Sequence, residues 1–130
     1  MKRAALILAL CAAGAHAADC PQPWEVEARQ MLGQWQAEFE DKGPGASIRL
    51  EAHPEFAGNF RGAVERNGER RQLAGDIDDG DLTLEESADG VHIAAVWIGE
   101  VVEGSCGREV RGSWKAEGAA QQRAFILHKQ

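Results

Sequence analysis

The chain has 130 residues, room for one domain of ordinary size. Charged residues make up 27% of it, the formal net charge is −7, aromatic residues are sparse at 6%, and tyrosine is absent. An acidic balance of this size repels phosphate backbones and argues against nucleic-acid binding.

The N-terminus opens with Met1-Lys2-Arg3, an apolar run from Ala4 to Ala13, and the A-x-A site Ala15-His16-Ala17. The run is too short to span a bilayer. Together these parts read as a secretory signal peptide over residues 1–17, followed by a single domain over residues 18–130. Leu10 and Asp19 precede Cys11 and Cys20, so neither cysteine fits a lipoprotein acceptor. The expected mature chain is therefore exported, to the periplasm or the medium, with no membrane span. Losing Lys2 and Arg3 leaves 12 basic side chains against 21 acidic ones. Cys11 leaves with the signal. Cys20 and Cys106 remain, and a cysteine pair in an exported chain reads as a structural disulfide.

Trp24, Ala28, Met31 and Leu32 share one helical face, which predicts a short helix over 23–31 with Pro23 first and a Glu25–Arg29 pair on its surface. Gly33-Gln34-Trp35 opens a first strand reaching about Glu40, with Trp35, Ala37 and Phe39 on one side. A second strand runs from Ser47 to Ala52, with Ile48 and Leu50 inward, and a third from Gly58 to Arg66.

The most ordered stretch lies between Phe60 and Trp97. Asn67-Gly68, Asp79-Gly80 and Asp89-Gly90 separate runs that alternate apolar and polar, the pattern of tight hairpins. Centring each pairing on its turn puts Phe60, Val64, Leu73, Ile77, Leu82, Leu84, Ile93 and Trp97 on one face. In that register Gly75 sits opposite Phe60, Gly62 opposite Leu73, and Leu82 opposite Trp97. The glycine-to-bulk complement is that of a filled small barrel. Residues 99–107 then form a longer connection carrying Cys106. A seventh strand spans 108–116, with Val110, Gly112 and Trp114 on one side, and an eighth spans 123–129.

Eight short strands with tight connections predict an all-β fold, an eight-stranded antiparallel up-and-down barrel with a short N-terminal helix. Two packed four-stranded sheets are the alternative. Up-and-down order brings Cys20 and Cys106 to the same end. The helix and disulfide are expected to plug that lower end, with Trp24, Trp35 and Trp97 packed there. The opposite end, ringed by residues 41–45, 67–68, 89–90 and 118–121, is left as the mouth.

Gly33-Gln34-Trp35, the second glycine–tryptophan pair Gly112-Ser113-Trp114, and Trp97 give the chain a layout that resembles the calycins, and within them the avidin-like branch. The resemblance implies a barrel that holds a small ligand or, as in the inhibitor branch, displays an N-terminal segment to a protease. It does not extend to biotin recognition. Ala37 stands where that branch has a polar anchor, and there is no tyrosine to place on the ligand. Residues 18–22 would be tethered by Cys20 rather than free to enter a protease.

Arg71 and Glu86 are the polar residues that parity sets on the apolar face, diagonal to each other near the mouth, with Trp114 at the same end. They are the candidate anchors and stacking surface for a small apolar or amphipathic ligand. The bland reading is a rim ion pair and core packing. Asp76, Asp78, Asp79 and Asp81 crowd the fourth–fifth turn, but Gly80, Asp81 and Ser87 fall where a calcium loop needs other residues. His53, His92 and His128 show no metal spacing. No catalytic constellation emerges, so neither enzyme activity, a metal nor a cofactor is expected. Ala94, Val96 and Ile98 make an apolar outward row on the sixth strand, a candidate homodimer or partner face. Two functions follow: capture of a small ligand, which needs a cavity, or a protein-interaction or inhibitor module, which predicts a packed interior and an exposed strip at Val96 and Ile98.

Overall fold

The computed structural model describes residues 20–130. The expected signal peptide at 1–17 lies outside the described residues. Strands β1 (Gly33–Phe39), β2 (Ala46–Ala52), β3 (Asn59–Arg66), β4 (Glu69–Asp78), β5 (Asp81–Ser87), β6 (Ala95–Val101), β7 (Glu109–Ala116) and β8 (Arg123–Lys129) follow in chain order. Each pairs antiparallel with the next, and β8 returns to β1, closing the barrel. The two-sheet alternative is thereby set aside.

The first two tight turns form as their residues require. Asn67 and Gly68 have φ of 54° and 76°, Asp79 and Gly80 of 51° and 84°, the left-handed pair that a hairpin matched to strand twist needs. Phe60 faces Gly75 and Gly62 faces Leu73. A Cβ on Gly75 would lie 1.9 Å from the Thr83 carbonyl oxygen, and one on Gly62 1.9 Å from that of Arg49. These glycines thus receive bulky partners and also let the neighbouring backbone pass.

The third turn is different. Asp89-Gly90 does not close a two-residue hairpin: the ladder ends at Glu86↔Ala95, and Leu84, not Leu82, faces Trp97. Residues 88–94 form a loop organised by side chains. The Asp89 carboxylate accepts from the backbone N–H groups of Val91 and His92, both at 2.8 Å, and from the Ser87 hydroxyl at 2.9 Å. Ser87 Oγ in turn accepts from Gly90 N–H at 2.8 Å. Such local bonds compete with a ladder. The displacement is two residues, so Trp97 still points inward, but Ile93 leaves the core and is 44% exposed.

Trp35, Ile48, Phe60, Leu82, Leu84, Trp97, Val110, Phe125 and Leu127 fill the barrel, none more than 1% exposed. Cys20 and Cys106 are bonded at the lower end. The expected continuous helix over 23–31 is two separate turns, a 3-10 turn at Pro23–Glu25 and α1 at Ala28–Met31. Each has its own reciprocal cap, Gln22 with Glu25 and Glu27 with Gln30, and the extended backbone at Val26 and Glu27 separates them. The helical face is therefore broken. Val26 and Met31 are buried, and Trp24 is turned out to 60% exposure. Arg29 pairs with Glu27 at 3.0 Å rather than with Glu25. Trp35 does belong to the lower end, its indole N–H donating to the Met31 carbonyl at 2.8 Å. Trp97 does not: it lies in the upper half, 5.7 Å from Phe39 and 4.9 Å from Phe125 between ring centroids.

Candidate functional site

In the upper half of the barrel one charged side chain is enclosed among aromatic rings. Glu86 is on the inward row of β5 and is 0% exposed. Its Oε1 accepts from Arg66 Nη1 at 2.8 Å, from Trp97 Nε1 at 2.7 Å and from Trp114 Nε1 at 3.1 Å. Its Oε2 accepts from Arg66 Nη2 at 3.1 Å. The pairing with arginine is therefore two-pronged, the geometry in which a guanidinium binds a carboxylate most strongly. Burial pushes the Glu86 carboxyl up. The Arg66 guanidinium and the two indole donors outweigh that and hold it below its ordinary value.

Glu86 and Trp114 are thus brought together. Arg71 is not with them. Its guanidinium lies 3.5 Å from the Glu69 carboxylate, nearer the rim. The ion pair expected between Arg71 and Glu86 is made by Arg66 instead. Arg66 is the last residue of β3 and lies on the same side of the strand as Phe60, Gly62 and Val64, although the sequence reading placed only Arg71 and Glu86 on that face. Its position beside the Asn67-Gly68 turn concealed it, because a rim residue with a long side chain can reach back over the wall. The Arg66 guanidinium also lies 4.6 Å from the Trp114 ring centroid.

A second arginine lies over the same aromatic layer. Arg123, at the start of β8, stacks 3.8 Å from the Phe39 centroid and 5.7 Å from that of Trp114. It donates to both Asp41 carboxylate oxygens, at 2.6 Å and 3.0 Å, tying the β1–β2 loop to β8. The Arg123 hydrogen bonds, with the Gly43 N–H, hold the Asp41 carboxyl down to about 2. Phe39, Trp97, Trp114 and Phe125 form the layer below. Chemically the arrangement is self-contained: the carboxylate has four donors, and both indoles and both arginines already have partners. No buried side-chain N or O atom among the described residues lacks a hydrogen-bond partner. Among the described residues no group of three or more His, Cys, Asp or Glu could hold a metal ion.

Several hollows open on the outside of the described residues. One is a polar hollow of about 350 Å3 at the rim beside Arg66 and the Asn67-Gly68 turn. Two others have apolar floors or walls. A shallow trough of about 450 Å3 crosses the outer face of β6 and β7, its apolar floor formed by Ile93, Val96 and Ile98 and its edge by Lys115 and Glu117. Ile98 is 58% exposed. The second is a hollow of about 480 Å3 at the lower end, between Trp24 and the β4–β5 turn, where Asp78 and Asp79 contribute to its wall.

No family model matches the chain. No curated protein matches it. Among solved structures it is similar to one described as "Structure of EF1p2_mFAP2b bound to DFHBI", 14% identical, with a TM-score of 0.48, over 85% of this chain and 100% of that one.

Proposed function

We propose that this is an exported, non-enzymatic binding protein in which the barrel is a filled scaffold and the outer surface meets partners. The packed interior supports this reading. A small-ligand site of the lipocalin or avidin kind needs a cavity of a few hundred Å3 with polar groups free to anchor the guest. Here inward side chains occupy the axis, and Glu86 and Trp114 are bonded to each other and to Arg66. Export is supported by the signal-like residues 1–17 and by the Cys20–Cys106 bond, which persists in oxidising compartments.

The β6–β7 trough is the contact face in this account, and a second copy of the chain fits it. The chain as a whole carries a net charge of −7, which opposes the close approach of a second copy. At the trough, aliphatic side chains sit beside one cation, Lys115, and one anion, Glu117. A two-fold axis passing between Lys115 and Glu117, at the level of Ala116, would set each Lys115 toward the other copy's Glu117, a self-complementary arrangement. Sedimentation velocity tests it. The wild-type chain should sediment as a dimer in the micromolar range and Ile98→Glu as a folded monomer. A wild-type chain that is monomeric throughout, or an Ile98→Glu variant that still dimerises, would remove the trough from the account.

A further inference from the structure

Trp24 stands apart from the other three tryptophans. Trp35 and Trp97 are fully buried and Trp114 is half-buried with its N–H bonded, whereas Trp24 is 60% exposed. Large aromatic side chains gain most from burial, so one held in solvent forgoes a sizeable part of that gain. Trp24 is held there by structure. Pro23 starts its turn, the Gln22–Glu25 cap closes it, and the buried Val26 anchors the following residue. The turn is also packed close to the β4–β5 corner, where a Cβ on Gly80 would come within 3.0 Å of the Pro23 backbone.

The ring lines the hollow opposite the β4–β5 turn. Ile77 and Ala28 supply apolar wall, and Glu27, Asp78 and Asp79 supply carboxylates. Glu27 is paired with Arg29, also on the wall. Asp78 and Asp79 make no ion pair among the described residues. The hollow therefore offers an aromatic face, a hydrocarbon floor and two unpaired negative charges. Phe56, also 60% exposed, stands on the β2–β3 connection at the same end.

We propose that this lower-end hollow docks a cationic segment of a partner protein, an arginine or lysine side chain lying on the Trp24 indole with its charge toward Asp78 and Asp79. The proposal rests on the outer-surface reading of function and gives it a partner chemistry. The attraction of a cation to the indole face supplies specificity. The carboxylates add steering, and the stem of the bound side chain packs on Ile77 and Ala28.

A hexa-arginine peptide titrated against the full chain, read by isothermal calorimetry at physiological salt, tests this. Trp24→Ala changes no charge, so diffuse attraction to an acidic protein is untouched by it. We expect saturable one-to-one binding, weakened at least about fivefold by Trp24→Ala, weakened by Asp78→Asn with Asp79→Asn, and largely kept in Trp24→Phe. Circular dichroism checks that each variant is folded. Equal binding by wild type and Trp24→Ala would overturn the proposal, leaving only bulk charge attraction. Absence of binding to hexa-arginine would overturn it too. Neither result bears on whether the interior is filled or the trough pairs two copies, so failure here leaves the broader reading standing.

Discussion

Glu86 is the most demanding residue in this fold. A carboxylate stripped of water is tolerated only when its lost hydration is replaced by well-placed donors. Arg66 and the indoles of Trp97 and Trp114 supply four hydrogen bonds. Removing the charge with Glu86→Gln leaves the largely buried Arg66 uncompensated and should lower unfolding free energy by about 3 kcal/mol. In a double-mutant cycle, Arg66→Met with Glu86→Leu should cost less than the sum of the single changes, as measured by urea denaturation followed by tryptophan emission. The same group sets an acid limit. Its folded carboxyl lies below its ordinary value of 4.5, so its stabilising contribution is complete above the unfolded-chain value and is lost as pH falls through the lowered folded one. Below about pH 4.5 the wild-type chain should therefore lose stability more steeply than the Arg66→Met/Glu86→Leu variant. Alternation along β5 in the sequence alone places Glu86 inward. Its partner was not legible, because Arg71 is one diagonal away in the ladder and Arg66 reaches it only across the interior. Gly75 shows a second residue-scale constraint. Gly75→Ala puts a methyl group onto the Thr83 carbonyl, and we expect a loss of about 2 kcal/mol in the same denaturation measurement.

At the scale of elements, turn chemistry read correctly where the backbone alone decides the turn. Asn67-Gly68 and Asp79-Gly80 pinned β3, β4 and β5 in register. Asp89-Gly90 carries the same dipeptide signal, yet the Ser87 hydroxyl and Asp89 carboxylate capture the nearby N–H groups and widen it to a loop. That competition depends on neighbouring side chains and is invisible to a two-residue rule. The N-terminal segment failed for a similar reason. Its apolar spacing suits one helix, but two capping pairs divide it, exchanging Trp24 for Val26 in the buried position. This segment is attached at its start by the Cys20–Cys106 bond, which closes a sequence separation of 86 residues. Cys106→Ser, alone or with Cys20→Ser, should cost about 4 kcal/mol in the chain-entropy account. Hydrogen exchange should show the backbone amides of residues 22–31 losing protection first, with the β-strand amides following only on global unfolding.

At the scale of the molecule, the closed barrel was legible because every strand contributes to one inward row, and a single parity satisfied the register. Function was less legible for a physical reason. A protein that acts through its exterior has no need for the fixed spacings that catalysis or metal binding impose, and exposed residues such as Trp24 and Ile98 look like ordinary core residues in a one-dimensional pattern. In the structure Trp24 and Ile98 are exposed, whereas the core residues of the same pattern are buried. The structure gives the barrel a filled axis held by Glu86, an apolar flank at β6 and β7, and a lower end that combines an indole with unpaired carboxylates. The central claim is that nothing small occupies the interior. It is tested most directly by native mass spectrometry of the chain purified without denaturation from the organism that makes it. The account predicts masses that are whole multiples of the disulfide-bonded chain, alone or with a protein partner. A stoichiometric small-molecule adduct, released when the barrel unfolds and lost in Glu86→Gln, would contradict it.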